Sequence, residues 1–178
     1  MIRRWLRPSP AGIILRRAAL AAGVLYGSWL GMLAVHELGH VLHAWLSGGR
    51  VERIIFPPLG FSQTIVWPNP HEQFVVWGGP LWGALLPAAG SGIARLFRRR
   101  LPDLLKFFAG FCLIANGAYF GFGWMNASGD AADLRALGTP VPLMIAIGAV
   151  MLVLGLAFWH RTGWLTRQRA RHLKQIAQ

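Results

Sequence analysis

The sequence predicts an all-α membrane protein of about four transmembrane helices, the second one kinked, with a β-hairpin between the first and the second. Three observations predict it. A hydrophobic content of 54% and a mean hydropathy of +0.44 over 178 residues lie above what a soluble domain carries. Apolar runs recur at the length a bilayer core requires, about 20 residues as helix. The Lys and Arg residues, which give a formal net charge of +12, fall in blocks between those runs.

The first apolar stretch runs from about Ala18 to Leu46 and closes on Gly48-Gly49, a helix stop. The second runs from about Phe74 to Phe97, where Gly78, Gly79, Pro80 and Pro87 predict a broken or kinked helix. The third follows Pro102-Asp103 and reaches about Met125; the fourth covers about Val141 to Trp159, with Pro140 and Pro142 at its start. Between the first two, Arg50 to Phe56 and Phe61 to Trp67 are β-prone runs flanking the turn Pro57-Pro58-Leu59-Gly60, which reads as a hairpin at the membrane surface. The chain is one domain over 1–178, with 161–178 a basic cytoplasmic tail.

Orientation follows from the charges. Arg3, Arg4, Arg7, Arg16 and Arg17 precede the first span; Arg95, Arg98, Arg99, Arg100 and Lys106 join the second to the third; Arg161, Arg167, Arg169, Arg171 and Lys174 follow the fourth. Only Arg50, Arg53 and Arg135 lie in the alternate loops. The positive-inside rule therefore puts both termini in the cytoplasm of an integral, multi-pass inner-membrane protein. Basic residues grouped in loops, not along one polar face, exclude nucleic acid as the partner and leave the bilayer. The single cysteine, Cys112, sits in an apolar run and reads as packing. Most of the nine Trp lie near predicted boundaries, where they anchor the interface. The basic region before Ala18 is that of a signal peptide, but the apolar run continues past Trp45, and the segment reads as retained.

That run contains His36-Glu37-Leu38-Gly39-His40, the His-Glu-x-x-His pattern. Residues four apart share a helix face, so both imidazoles can converge on one Zn2+ while Glu37 stands beside the metal's water as general base. A carboxylate at the centre of a membrane helix costs about 3 kcal/mol on insertion scales, and a divalent cation is the partner that offsets it. A polar helix–helix cluster or proton path is the bland alternative. A catalytic zinc takes a third protein ligand and keeps one position open. The outward-facing candidates are Glu52, Glu72, Asp130 and Asp133, with His43 and His71 as imidazole alternatives. His43 shares the helix face of His36 but reads as a neighbour, because three ligands on one helix rarely close a tetrahedron.

Ala34 to Ala44, followed by Gly48-Gly49-Arg50-Val51, is similar to the first motif of the site-2 protease family of intramembrane zinc metalloproteases, in its short bacterial type, and to the glycine-led strand after it. Gly79-Pro80-Leu81 resembles that family's Gly-Pro-Leu segment, with Trp82-Gly83 in place of the usual Ala-Asn. Ser128-Gly129-Asp130-Ala131 resembles its Asp-Gly motif, departing from it at Ala131, and Asn116 corresponds to an Asn that precedes that motif. The resemblance implies His36, His40 and Asp130 as metal ligands, Glu37 as the catalytic residue and Zn2+ as cofactor. It further implies hydrolysis of peptide bonds in or near transmembrane segments of membrane proteins. Two rival functions stand beside this: a non-proteolytic metal-binding or scaffold protein that retains the site, and a transporter or proton relay.

Overall fold

The computed structural model describes residues 9–96, 103–126 and 129–161. The basic residues Arg3, Arg4 and Arg7, the Arg98 to Arg100 loop, Ser128 of the Asp motif, and the tail beyond Arg161 lie outside the described residues. Those described form helix α1 (Pro10–Leu46), strands β1 (Val51–Ile55) and β2 (Gln63–Val66), α2 (Glu72–Leu96), α3 (Asp103–Phe122) running on into a 3-10 turn (Gly123–Met125), α4 (Asp130–Ala136) and α5 (Val141–Arg161).

Helix α1 begins two turns earlier than its apolar run. Ser9 caps it, its Oγ accepting from the Gly12 N–H at 3.1 Å, and Pro10 occupies the first turn, where its missing N–H costs nothing. The expectation of a start at Ala18 is corrected on that ground: hydropathy marks where lipid can begin, while capping chemistry marks where helix begins. The other end is as expected, with Gly48 at φ 77° turning the chain out of the helix. At 37 residues, α1 is about 55 Å long, well beyond one hydrocarbon thickness.

Among the described residues, three helical stretches are long and apolar enough to cross a membrane: Pro10–Leu46, Leu104–Met125 and Val141–His160. The expected second span corresponds to α2, which holds Pro80 and Pro87 within its 25 residues. The expected hairpin is present as two antiparallel strands pairing Val51 with Val66 and Ile55 with Gln63, the register shifting between Val51 and Arg53. The loop expected between the third and fourth spans instead contains α4.

Small residues set how the helices meet. A Cβ on Gly39 would strike the Gly78 carbonyl, and one on Gly78 would strike the Gly39 carbonyl, so α1 and α2 cross with their backbones in contact. Helices α3 and α5 meet the same way through Gly117 and Gly148, and are locked further along by Trp159, which stacks on Phe107 at 5.1 Å and donates its indole N–H to the Phe107 carbonyl at 3.0 Å. Met32 and Leu33 of α1 pack with Cys112 of α3. Cys112 is fully buried there, as packing requires.

Gly39→Val therefore drives α1 and α2 apart. The expected outcome is a loss of about 1–3 kcal/mol, the usual cost of overpacking, read as a lower melting temperature in detergent. Gly23→Ala, where an added Cβ meets nothing within 4 Å, leaves the melting temperature unchanged or raises it.

Candidate metal centre

The helical spacing of α1 brings His36, Glu37 and His40 together, with one ligand atom from each lying within 4.8 Å of the others. All three are buried, at 8%, 3% and 6% exposure, on a helix whose opposite face is exposed at Leu38. The two imidazoles, inclined at 72° to each other, are fixed from behind. His36 donates Nδ1–H to Asn116 Oδ1 at 2.8 Å, and Asn116 in turn donates from Nδ2 to the Cys112 carbonyl at 2.9 Å, which settles which way the amide faces. His40 donates Nδ1–H to the Val75 carbonyl of α2 at 2.9 Å. Each ring is thereby held with its Nε2 lone pair pointing inward.

The inward atoms converge with a carboxylate. His36 Nε2 and His40 Nε2 are 3.2 Å apart, and Asp130 Oδ2 lies 2.7 Å from the first and 3.2 Å from the second. Metal–ligand bonds of about 2.0 Å at tetrahedral angles put neighbouring ligand atoms about 3.3 Å apart, so this triangle is of the size a zinc ion takes. His36 Nε2 and Asp130 Oδ2 stand at hydrogen-bond and ion-pair distance, a contact that either a proton on the imidazole or a cation among the three atoms satisfies. Gly79 supplies the room: a Cβ there would press on both Nε2 atoms. The donor set, its spacing and its backing all fit Zn2+.

Asp130 is the first residue of α4, placed after Gly129 at φ 96°. Burial works to raise its carboxyl, but the contacts with His36 and His40 prevail and hold it below the ordinary range. Asp133 behaves in the opposite sense, raised by desolvation and by the neighbouring Asp130 and Glu72. Of the other candidates for the third position, Asp133 and Glu72 line the cavity in front of the histidines without touching them, and Glu52 and His71 are exposed outside it. His43 is committed elsewhere: it donates Nδ1–H to the Phe74 carbonyl at 2.6 Å, accepts from Trp82 Nε1–H at 2.9 Å, and stacks on Phe74 at 4.1 Å.

Glu37 accepts a hydrogen bond from Thr64 Oγ1 of β2. The hairpin is thus tied to the centre by a side chain. Its turn adds a second tie, Phe61 lying 5.8 Å from both Trp29 of α1 and Tyr119 of α3. The sequence pattern pointed to neither Thr64 nor the Val75 carbonyl; a hydroxyl on a half-buried strand and a backbone oxygen carry no motif. In front of the histidines is a cavity of about 770 Å³. One wall is apolar, with Trp29, Met32, Leu33 and Ala115; the other is polar, with Asn69, Glu72, Asn126 and Asp133.

Comparison with known proteins finds no match, whether among family models, curated proteins or solved structures.

Asp130→Ala and Asp133→Ala should separate cleanly when zinc affinity is titrated for both. Losing one ligand of three weakens binding by several orders of magnitude, whereas losing an outer partner costs about 10- to 100-fold. Metal lost from Asp133→Ala, or from neither, removes Asp130 from the ligand set.

Proposed function

We propose that the chain is an intramembrane zinc metalloendopeptidase, akin to the site-2 proteases it resembles, hydrolysing peptide bonds in or near transmembrane segments. The observation that carries this reading is the convergence of His36 Nε2, His40 Nε2 and Asp130 Oδ2 with the Glu37 carboxylate on the same helix. Three protein ligands leave the fourth position of a tetrahedral zinc open, which separates catalytic from purely structural sites.

His36, His40 and Asp130 would hold the ion, which when bound supplies Lewis acidity toward water and the scissile carbonyl. Glu37 takes the proton from the attacking water and returns it to the departing amine. Thr64 holds one Glu37 oxygen, Oε2, and leaves Oε1 to the water. Asn116 and Val75 keep both imidazoles in the tautomer that binds metal.

A helical peptide bond is hidden by its own hydrogen bonding, so the substrate must unwind before it is cut. Strand β2 offers the place to hold it. The cavity is lined by residues of the hairpin turn and β2, among them Ser62, Gln63, Thr64 and Val66, and β1 pairs on the far side. An extended peptide in the cavity therefore adds to the free edge of β2. Two buried polar atoms without a hydrogen-bond partner, Ser62 Oγ and Asn69 Oδ1, lie at either end of that strand. Both await a polar ligand, and a peptide backbone supplies one.

Helix α2, with Pro80 and Pro87, is read as the fourth and kinked crossing, in an inner membrane with both termini cytoplasmic.

Glu37→Gln tests the reading against a metal-binding scaffold. With purified protein and a panel of transmembrane peptides, the amide variant should keep stoichiometric zinc and lose hydrolysis. Turnover near the wild-type rate would sink the mechanism, and a wild type that binds zinc without Glu37-dependent cleavage is the scaffold. Thr64→Val should lower kcat by about 10-fold with zinc content unchanged, and Thr64→Ser should restore it, because the hydroxyl orients the base without touching the metal.

A further inference from the structure

Charged and apolar groups are distributed along the helices so that the two ends of the molecule differ. Helices α1 and α3 run in the same direction, since Gly31 packs on Phe108 and His36 meets Asn116. Helix α2 opposes α1, with Gly78 against Gly39 and Phe74 against His43. Helix α5 opposes α3 through Gly148 on Gly117 and Trp159 on Phe107. One end of the bundle thus holds Arg16, Arg17, Lys106 and His160. The other holds the hairpin and α4, with Glu52, Glu72, Asp130 and Asp133 against Arg50, Arg53 and Arg135.

The cavity in front of the histidines has a direction within this frame. Its apolar wall, with Trp29, Met32 and Leu33, lies on the side of the basic end, where α1 packs against Cys112 and Phe108 of α3. Its polar wall, with Asn69, Glu72, Asn126 and Asp133, lies at the hairpin end. Both carboxylates of that wall belong to exposed residues, a surface that water solvates and lipid does not. Arg17 is about 28 Å from His36 along α1, whereas α1 ends about 9 Å beyond His40. Water that entered from the basic end would have to cross that apolar packing.

We infer that the metal centre is served from the hairpin end and that this end faces away from the cytoplasm. Water, metal and the unwound substrate then arrive from the non-cytoplasmic side. Orientation comes from the basic blocks, which the positive-inside rule holds in the cytoplasm. Access comes from the polar wall. On the protease reading, from which this takes only the nature of the cargo, the bonds cut lie in the half of the membrane opposite the basic blocks, and the products part toward that side.

Two measurements on the full chain in sealed right-side-out membrane vesicles test this. In a Cys112→Ala background, a membrane-impermeant maleimide added outside should modify Asn69→Cys and Asn126→Cys and leave Arg17→Cys unmodified until the vesicles are lysed. For the unaltered protein, a membrane-impermeant chelator added outside should strip zinc, counted as metal per chain, while the same chelator trapped inside should not. Labelling of Arg17→Cys alone, no labelling at either cavity position, or zinc lost only to the trapped chelator overturns the inference. A chain that carries no zinc in any state defeats the protease reading instead, and the maleimide pattern still decides the side.

Discussion

A buried carboxylate beside buried imidazoles, on a helix apolar enough to sit in lipid, is the constraint on which the rest of this structure depends. Glu37 is 3% exposed, and a lone ionised group there is unfavourable by about 3 kcal/mol or more. Each polar atom of the cluster is answered by a different part of the chain: Thr64 of β2 for Glu37, Asn116 of α3 for His36, Val75 of α2 for His40, and Phe74 and Trp82 for His43. These satisfactions are what bring α2, α3 and the hairpin to α1. On their inward side the two rings meet each other and Asp130 Oδ2, and that is where a cation would fit.

The close approach of α1 and α2 follows from the same need. A histidine side chain reaches a backbone carbonyl on a neighbouring helix only if the backbones lie near each other, and Gly39 against Gly78 permits it. Gly79 then clears the space in which the Nε2 atoms meet. Three glycines in two helices thus serve one geometry. Their other reading, as generic packing residues of membrane helices, describes the first two and does not account for Gly79, whose neighbours are imidazole nitrogens and not a helix backbone.

Much of this was legible in the sequence because it is periodic or local. The His36, Glu37 and His40 triplet depends only on helical spacing, the hairpin on β-prone runs around Pro57 to Gly60, and the end of α1 on Gly48. What escaped was nonlocal or outside the hydropathy signal. The cap at Ser9 and Pro10 lengthens α1 through the basic region that precedes the apolar run, and α4 is too short to carry a helical pattern of its own. Among six candidates for the third ligand, spacing alone left the choice open. Only the resemblance pointed to Asp130, and its contact with both histidines rests on a positive-φ glycine whose effect on chain direction no pattern reports. Thr64 was invisible for a similar reason: its partner is 27 positions away.

The hairpin joins the helices to the cluster. Phe61 is 70% exposed as a residue, yet its ring lies against both Trp29 and Tyr119, so the turn bridges α1 and α3 in front of the cavity while remaining open to its surroundings. Behind it, β2 gives one side chain to Glu37, lends Gln63, Thr64 and Val66 to the cavity lining and, among the described residues, pairs with a strand along one edge only. A strand that adds to that edge lies beside the same residue that orients the carboxylate. A two-stranded sheet is weak by itself and takes its order from what it packs on. Here it packs on the helix that bears the histidines, and a third strand would stabilise both sheet and carboxylate together. On the protease reading, substrate binding and orientation of the base would in this way be one physical event, because the strand that receives the peptide also holds the carboxylate through Thr64.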